Sequence, residues 1–311
     1  MTFINEYTTY CAICGGPIED PDLDHGWLSQ AVLLHSSTEF PNTQISELPA
    51  KNKGGPYFEL LENAEAVTAC NKSGSVLPSP RPLYIACHQK CVALAKRAMS
   101  TQEAASHRNL DGSMQHLWHV FKSLFDEASE EKLGPICNIY SAQAYGDIWR
   151  FQELVWQPGN GPELRFDSMH FEADPKDIPD MTSSILLQLQ MLPVADLNSS
   201  SSEPSELPPF KDLSLECTAH SSSRAWREAL AHGYLPWLWD LEPDVVAQKE
   251  ASKPLGQEWN WELLVRQLAQ VHLHEPRAVI EDLPMGLRNR RRIWRLVEDM
   301  LSEDSTEVVN F

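Results

Sequence analysis

The sequence predicts an α+β protein, with an irregular N-terminal domain of short strands and helices followed by a small helical C-terminal region. Turn-forming Asn, Ser, Gly and Pro are spread through residues 36–82, which indicates loops and short strands there. Towards the C-terminus, hydrophobic residues recur at the spacing of amphipathic helices. A polar, serine-rich stretch separates the two regions, so we expect two structural parts.

The composition indicates a folded protein whose negative charge disfavours binding to nucleic acids and anionic membranes. The chain is 42% hydrophobic and contains ten tryptophans, enough to bury a sizeable core. Its formal net charge of −19 repels the phosphate backbone of nucleic acids and anionic membrane surfaces. The sequence shows neither a secretory signal nor an apolar run of the roughly 18 residues needed to span a bilayer. We therefore expect an intracellular protein, cytoplasmic or nuclear, whose seven cysteines are reduced or metal-bound.

The N-terminal domain is predicted to cover residues 1–192. It begins with a tight turn at residues 10–17, where Gly15 and Gly16 permit the positive φ angles that such turns often use. Short strands are expected at residues 67–70 and 83–85. Hydrophobic periodicity predicts helices over residues 87–99 and 114–125, each with an apolar stripe that faces a core.

A flexible linker is predicted over residues 193–209, because residues 198–206 are polar, low in complexity and free of apolar side chains. The helical C-terminal region then covers residues 210–311. Helices are expected there at residues 222–230, 259–271 and 288–301, where hydrophobic side chains fall on one face.

Two short motifs in the N-terminal domain carry metal-ligating side chains. Cys11 and Cys14 form a Cys-x-x-Cys pair in the first turn, and His88 and Cys91 stand three residues apart at the start of a predicted helix. Residues at i and i+3 share a helix face, so the second pair can point at one ion. Tetrahedral Zn²⁺ takes thiolates and imidazoles in two such pairs, and we therefore predict that these four residues bind a structural zinc ion.

Other residues offer alternative ligands. Cys87 in place of His88 would give a four-sulfur site, and Cys70 or His25 could substitute in a different geometry. Closing the loop of 73 residues between Cys14 and His88 costs about 4 kcal/mol, whereas structural zinc contributes about 10–16 kcal/mol. A site with four protein ligands is closed, which is typical of structural rather than catalytic zinc.

Enzyme motifs are missing from the sequence. It contains no Gly-x-x-x-x-Gly-Lys phosphate loop, no His-Glu-x-x-His and no Gly-x-Ser-x-Gly, so we predict a non-enzymatic protein with no catalytic residues. Residues 288–295 hold five arginines beside Trp294. They make a zinc-containing nucleic-acid-binding or transcription-related protein the alternative function. Nearby carboxylates such as Asp282 and Glu298 favour instead a helix whose arginines form internal salt bridges.

Several short motifs, taken in order, resemble those of a group of filamentous-fungal F-box-like proteins. They lie at residues 11–17 (CAICGGP), 88–91 (HQKC), 173–175 (ADP), 178–179 (IP), 223–226 (SRAW), 235–239 (LPWLW), 259–261 (WNW) and 286–294 (GLRNRRRIW). The family pattern places a His-x-x-Cys at the second motif, which favours His88 over Cys87 as a ligand. The resemblance implies a protein without catalytic activity.

The resemblance also implies a partner. An F-box binds the adaptor of an SCF-type ubiquitin ligase while the flanking regions choose a client protein, and the corresponding segment here is residues 205–245. An F-box usually begins with Leu-Pro and an amphipathic first helix. Here Ser223-Arg224 follows Leu207-Pro208 closely, so roughly one helix is missing or reduced.

Overall fold

The computed structural model describes part of the chain in detail. The described residues are 9–18, 26–36, 45–52, 57–60, 66–68, 83–106, 114–121, 173–192, 207–216, 221–270, 273, 280 and 282–307. Within them, an antiparallel sheet and helices coexist, which confirms the predicted α+β class. The chain divides into two compact units. The N-terminal unit comprises residues 1–174 with 293–311, and the helical unit comprises residues 175–292.

The N-terminal unit is built on a five-stranded antiparallel sheet of order β6-β5-β4-β3-β7. A two-stranded hairpin precedes the sheet in the chain. The hairpin strands are β1 (Thr9–Tyr10) and β2 (Pro17–Ile18); the sheet strands are β3 (Gln30–Ser36), β4 (Ser46–Asn52), β5 (Tyr57–Leu60), β6 (Ala66–Thr68) and β7 (Leu83–His88).

The pairing of β3 with β7 forms one edge of the sheet. Ala31 to Leu34 on β3 are all buried, which explains why this strand is a continuous apolar run rather than an alternating one. The register sets Val32 opposite Cys87 and Ala31 opposite His88, so the end of β7 is held extended by the sheet. The strand expected at residues 83–85 is therefore longer than predicted.

Helix α1 (Gln89–Ser106) follows β7 without a loop and packs against β3 and β7. The prediction of a helix from residue 87 was wrong by two residues, because Cys87 and His88 are paired in the sheet. The buried face of the helix comprises Cys91, Val92, Leu94, Ala95, Ala98 and Met99. Residues 115–121 are helical as expected, and the rest of that predicted helix, to residue 125, lies outside the described residues.

The helical unit contains four complete helices in its described part, α2 (Met181–Leu187), α3 (Ser223–Ala231), α4 (Pro243–Ala251) and α5 (Trp261–Ala269). Short 3-10 turns lie at Phe210–Asp212 and Pro236–Leu238. Helix α6 (Met285–Glu307) contributes its residues up to 292 to this unit and the rest to the N-terminal unit.

Two helices of this unit begin at side-chain caps, and buried tryptophans fill its core. Ser222 accepts a hydrogen bond from Ala225 N–H at the start of α3, and Asn260 caps α5 in the same way. The indoles of Trp226, Trp237 and Trp261 are buried, and they form much of the core of the unit.

The two compact units differ in their bounds from the predicted division at residues 1–192, 193–209 and 210–311. Residues 175–192 belong to the helical unit, where the backbone N–H groups of Leu192 and Asn260 donate to the carbonyls of Glu258 and Gln190. Residues 193–206 of the predicted linker lie outside the described residues. In the described part of the chain, no helix combines the length and the apolar character needed to cross a membrane.

Candidate metal centre

The first pair of predicted ligands lies in the turn between β1 and β2. Thr9 pairs with Ile18 and Tyr10 with Pro17, so the hairpin brings the two ends of the turn together. Inside the turn, Cys11 N–H donates to the Gly16 carbonyl at 2.8 Å and Gly15 N–H donates to the Cys11 carbonyl at 2.9 Å. Gly15 has φ 69°, a conformation that other residues adopt at a cost.

The second pair lies at the junction of β7 and α1. His88 is the last residue of the strand and Cys91 lies in the first turn of the helix. A backbone hydrogen bond of 3.0 Å from Ala12 N–H to the Ala86 carbonyl attaches the turn to β7. The strand and this hydrogen bond therefore set the separation of the two pairs.

All four predicted ligands converge. The ligand atoms of Cys11, Cys14, His88 and Cys91 lie within 4.8 Å of one another, and all four side chains are buried. His88 Nδ1 lies 3.3 Å from Cys14 Sγ and 3.7 Å from Cys91 Sγ. Tetrahedral zinc with ordinary bond lengths separates a nitrogen and a sulfur ligand by about 3.6 Å. The spacing of the side chains therefore fits a zinc ion.

The structure also bears on the alternative ligands. Cys87 is buried beside the cluster but is not one of the four residues whose ligand atoms converge. The fourth converging ligand atom belongs instead to His88, the next residue in the chain. Cys70 and His25 lie outside the described residues.

Backbone N–H groups point at two of the sulfurs. Gly16 N–H donates to Cys14 Sγ at 3.4 Å, and His88 N–H donates to Cys11 Sγ at 3.3 Å. Cys91 lies in the first turn of α1, where the helix dipole favours negative charge. These donors stabilise thiolates, which are the form of cysteine that binds metal.

Without an ion, the pKa shifts of the cluster favour an ionised Cys11 beside a protonated His88 and disfavour ionisation of Cys91. Burial disfavours the Cys11 thiolate, but hydrogen bonds from three neighbouring cysteines and the charge of His88 hold the pKa of Cys11 well below its usual value. Burial favours a neutral imidazole, yet the charges of Cys11 and Cys14 outweigh it and raise the pKa of His88 to about 10. Burial, together with hydrogen bonds and the negative charge of Cys11 and Cys14, holds the pKa of Cys91 well above its usual value. A cation that binds here therefore displaces protons.

The surroundings of the cluster are closed. The ring of Trp27 packs against the His88 imidazole with centroids 4.8 Å apart, and both residues are buried. A metal ion with four protein ligands has no position left for water or substrate, so the site suits a structural role and not a catalytic one.

No protein-family model matches the chain, and no curated protein or solved structure is significantly similar to it.

The arginine-rich segment at residues 288–295 forms a different kind of site from the one considered for nucleic acid. Arg290 is fully buried in the helical unit, and its guanidinium makes two parallel hydrogen bonds to the Asp240 carboxylate, at 2.6 and 2.8 Å. Arg288 donates to the Ile280 carbonyl at 2.8 Å. Side chains used in this way are not available to phosphate groups. Arg295 pairs at 3.5 Å with Asp299, a carboxylate nearby in sequence as expected, whereas the pairing of Arg290 with the distant Asp240 was not predicted.

Two contributors to the metal centre were missed from the sequence. Gly16 was noted for its conformational freedom, but its N–H also donates to the Cys14 sulfur. The contact of Trp27 with His88 had no local signal, because 60 residues separate them in the chain.

Proposed function

We propose that the cluster of Cys11, Cys14, His88 and Cys91 binds a structural zinc ion and that the protein is a non-enzymatic protein-interaction protein. The observation that carries the zinc proposal is the convergence of three sulfurs and one imidazole nitrogen in a buried, closed arrangement. This donor set is soft and tetrahedral, which favours zinc over the harder magnesium and calcium ions. Thiolate ligands persist in reducing compartments, so the proposal includes a cytoplasmic or nuclear location.

The zinc proposal predicts that the purified full chain contains a single zinc ion and loses it on acidification. Protons compete with the metal for thiolate and imidazole, so the retained zinc should fall as the pH is lowered from neutral. Elemental analysis after dialysis at a series of pH values measures this. A protein that carries no zinc when purified without chelator, and takes up none when zinc is supplied, contradicts the proposal.

For the interaction role, we propose that the helical unit contacts the adaptor of an SCF-type ubiquitin ligase, as the resemblance to F-box-like proteins implies. Ile178-Pro179 comes just before the amphipathic helix α2, which buries Met181 and Ile185. An apolar residue, a proline and then a helix is the order with which an F-box begins. Leu207-Pro208, the start inferred from the sequence, is followed only by the short 3-10 turn Phe210–Asp212. The proposal therefore extends the adaptor-binding segment from residues 205–245 back to α2.

An exposed apolar groove supports this role. A cavity of about 310 Å³ lies between α2 and α4 within the helical unit. Leu187 on its edge is 78% exposed, and Leu186 and Val245 provide further apolar lining. Together, the exposed Leu187 and the apolar lining of the groove offer a surface that an apolar side chain of a partner can cover. The remaining lining residues, Ser183, Gln248, Lys249 and Ser252, form a polar rim.

Replacement of Leu187 by aspartate should abolish co-purification with the adaptor, because it places a charge where an apolar contact is needed. Leu255 is fully exposed in the turn between α4 and α5 and does not line the groove, so Leu255→Asp is the matched control. We expect the control to bind like the unaltered chain in a pull-down with purified adaptor. Equal binding by both variants, or no binding by the unaltered chain, would remove the adaptor from the proposal.

A further inference from the structure

The groove between α2 and α4 carries a positive charge on an acidic protein. The chain has 44 acidic residues against 25 lysines and arginines. The described residues that line the groove nevertheless include no carboxylate, and the one charged side chain among them is Lys249. The groove therefore combines an apolar wall with a single cation, and this local charge is opposite in sign to the net charge of the chain.

Trp259 holds Lys249 at the groove. Lys249 Nζ lies 4.5 Å from the centroid of the Trp259 ring, and the indole N–H of Trp259 donates to the Lys249 carbonyl at 3.2 Å. Trp259 is itself fixed close to α2, because it forms a β-bridge with Met191 just after the end of that helix. The ammonium is therefore in place before a partner binds, which reduces the side-chain entropy that binding would cost.

The charge of this ammonium is not neutralised by its acidic neighbours. Among the described residues, no carboxylate forms an ion pair with Lys249. The two nearest acidic residues along the chain, Glu250 and Glu258, instead bind Lys253 at 2.8 and 2.9 Å. The face of an aromatic ring attracts a cation but leaves its charge in place. A carboxylate that a partner brings to the groove would therefore meet a cation held ready for it.

We infer that the groove binds a protein segment that carries an apolar side chain and a carboxylate on one helix face, with the apolar side chain against Leu187 and Val245 and the carboxylate on Lys249. Val245 and Lys249 are i, i+4 neighbours on α4, so a partner helix with the same spacing matches both. A cavity of about 310 Å³ admits a side chain or two, since whole small ligands need about 300–1,000 Å³. The inference rests on the proposed protein-interaction role of the groove and adds the chemistry of the segment.

The test selects peptides from a random library displayed on phage, with the full chain, Lys249→Glu and Lys211→Glu as baits. Lys211 is exposed on the 3-10 turn Phe210–Asp212 and does not line the groove, so Lys211→Glu makes the same change in net charge elsewhere on the helical unit. We expect the unaltered chain and Lys211→Glu to enrich peptides that carry Asp or Glu three or four positions from an apolar residue. Lys249→Glu should enrich Lys or Arg at that position, because the sign of the groove is reversed.

Fluorescence anisotropy then measures the contact between Lys249 and the carboxylate directly. The most enriched peptide is compared with a copy in which its carboxylate is replaced by the amide. We expect the unaltered chain to bind the acidic peptide about fivefold more tightly than the amide, and the difference should shrink as salt is added. Lys249→Met keeps an apolar stem of similar length, so it should bind both peptides alike. A role of Lys249 in packing alone would not change this ratio.

The outcomes separate this inference from the adaptor proposal. The inference is overturned if the unaltered chain enriches no common peptide, if the enriched peptides lack the carboxylate, or if Lys249→Met keeps the fivefold preference. Lys249→Met also decides the matter if Lys249→Glu fails to fold. Adaptor binding by a chain that selects no acidic peptide leaves the adaptor proposal standing and removes only this inference. Selection of acidic peptides by a chain that does not bind the adaptor has the reverse meaning.

Discussion

Serine in place of Cys14 should release the proposed zinc ion and unfold much of the N-terminal unit. Zinc contributes about 10–16 kcal/mol to the folding of small zinc domains, so losing one of four ligands forfeits on the order of 3 kcal/mol or more. A domain has a net stability of only about 5–15 kcal/mol. The loss also leaves the Gly16 N–H without its thiolate acceptor and removes one of the charges that faces His88. Zinc content and thermal unfolding of the full chain measure the effect.

Val92→Ala is the matched control for Cys14→Ser. Val92 is buried in the first turns of α1 beside Cys91, and its truncation removes packing from the same region without removing a ligand. We expect it to lower the stability by about 1–2 kcal/mol and to leave the zinc content unchanged. If Cys14→Ser retains its zinc, or unfolds at the temperature of Val92→Ala, the ion does not hold this unit together.

Methionine in place of Arg290 should destabilise the helical unit by about 3 kcal/mol, because it removes a fully buried guanidinium and leaves its carbonyl acceptors and the partly exposed Asp240 without their donor. Arg290 uses all five of its N–H donors. Besides Asp240, the guanidinium bonds to the carbonyls of Pro175, Lys176 and Trp237 at 2.7, 2.9 and 3.1 Å. It also lies over the Trp239 ring at 4.1 Å. Lysine at this position has three donors and no planar fork, so Arg290→Lys should also be destabilised, though less.

Arg224→Met provides the control for Arg290→Met. Arg224 also pairs with a carboxylate, Glu228, at a similar distance of 2.7 Å, but its side chain is 78% exposed. An exposed pair of this kind contributes little to stability, because water screens both charges. Urea unfolding followed by tryptophan fluorescence compares the two variants. Equal midpoints would mean that the Arg290 network adds nothing beyond a surface ion pair.

Together these sites describe how each unit is stabilised. In the N-terminal unit the candidate metal ligands join a turn near the start of the chain to a strand and a helix, far apart in sequence. In the helical unit a buried guanidinium joins α6 to the 3-10 turn at Pro236–Leu238 and to the loop before α2. Each of these clusters joins segments that are distant in the chain, whereas the exposed groove beside Leu187 is the basis of the proposed partner contact.

Local patterns in the sequence were sufficient for several features. The two cysteine-containing motifs, with His88 favoured over Cys87 by the family resemblance, identified the four converging residues, because the members of each pair are close together in the chain. Hydrophobic periodicity located α3, α5 and α6 for the same reason, since a helix face is defined by residues three and four apart. Helix α4 was missed because its nine residues bury only Val246 and show little periodicity.

Contacts between distant segments were decided only by the tertiary structure. The preference for His88 over Cys87 as the converging residue depends on the register of β7 with β3, which local spacing does not encode. Arg290 was expected to pair with carboxylates nearby in sequence, yet it binds Asp240, 50 residues away. Residues 175–192 also belong to the helical unit through contacts with distant residues, such as the backbone hydrogen bonds to Glu258 and Asn260. The sequence by itself thus determined which residues could share an ion or a helix face, and burial against distant partners determined the roles they take.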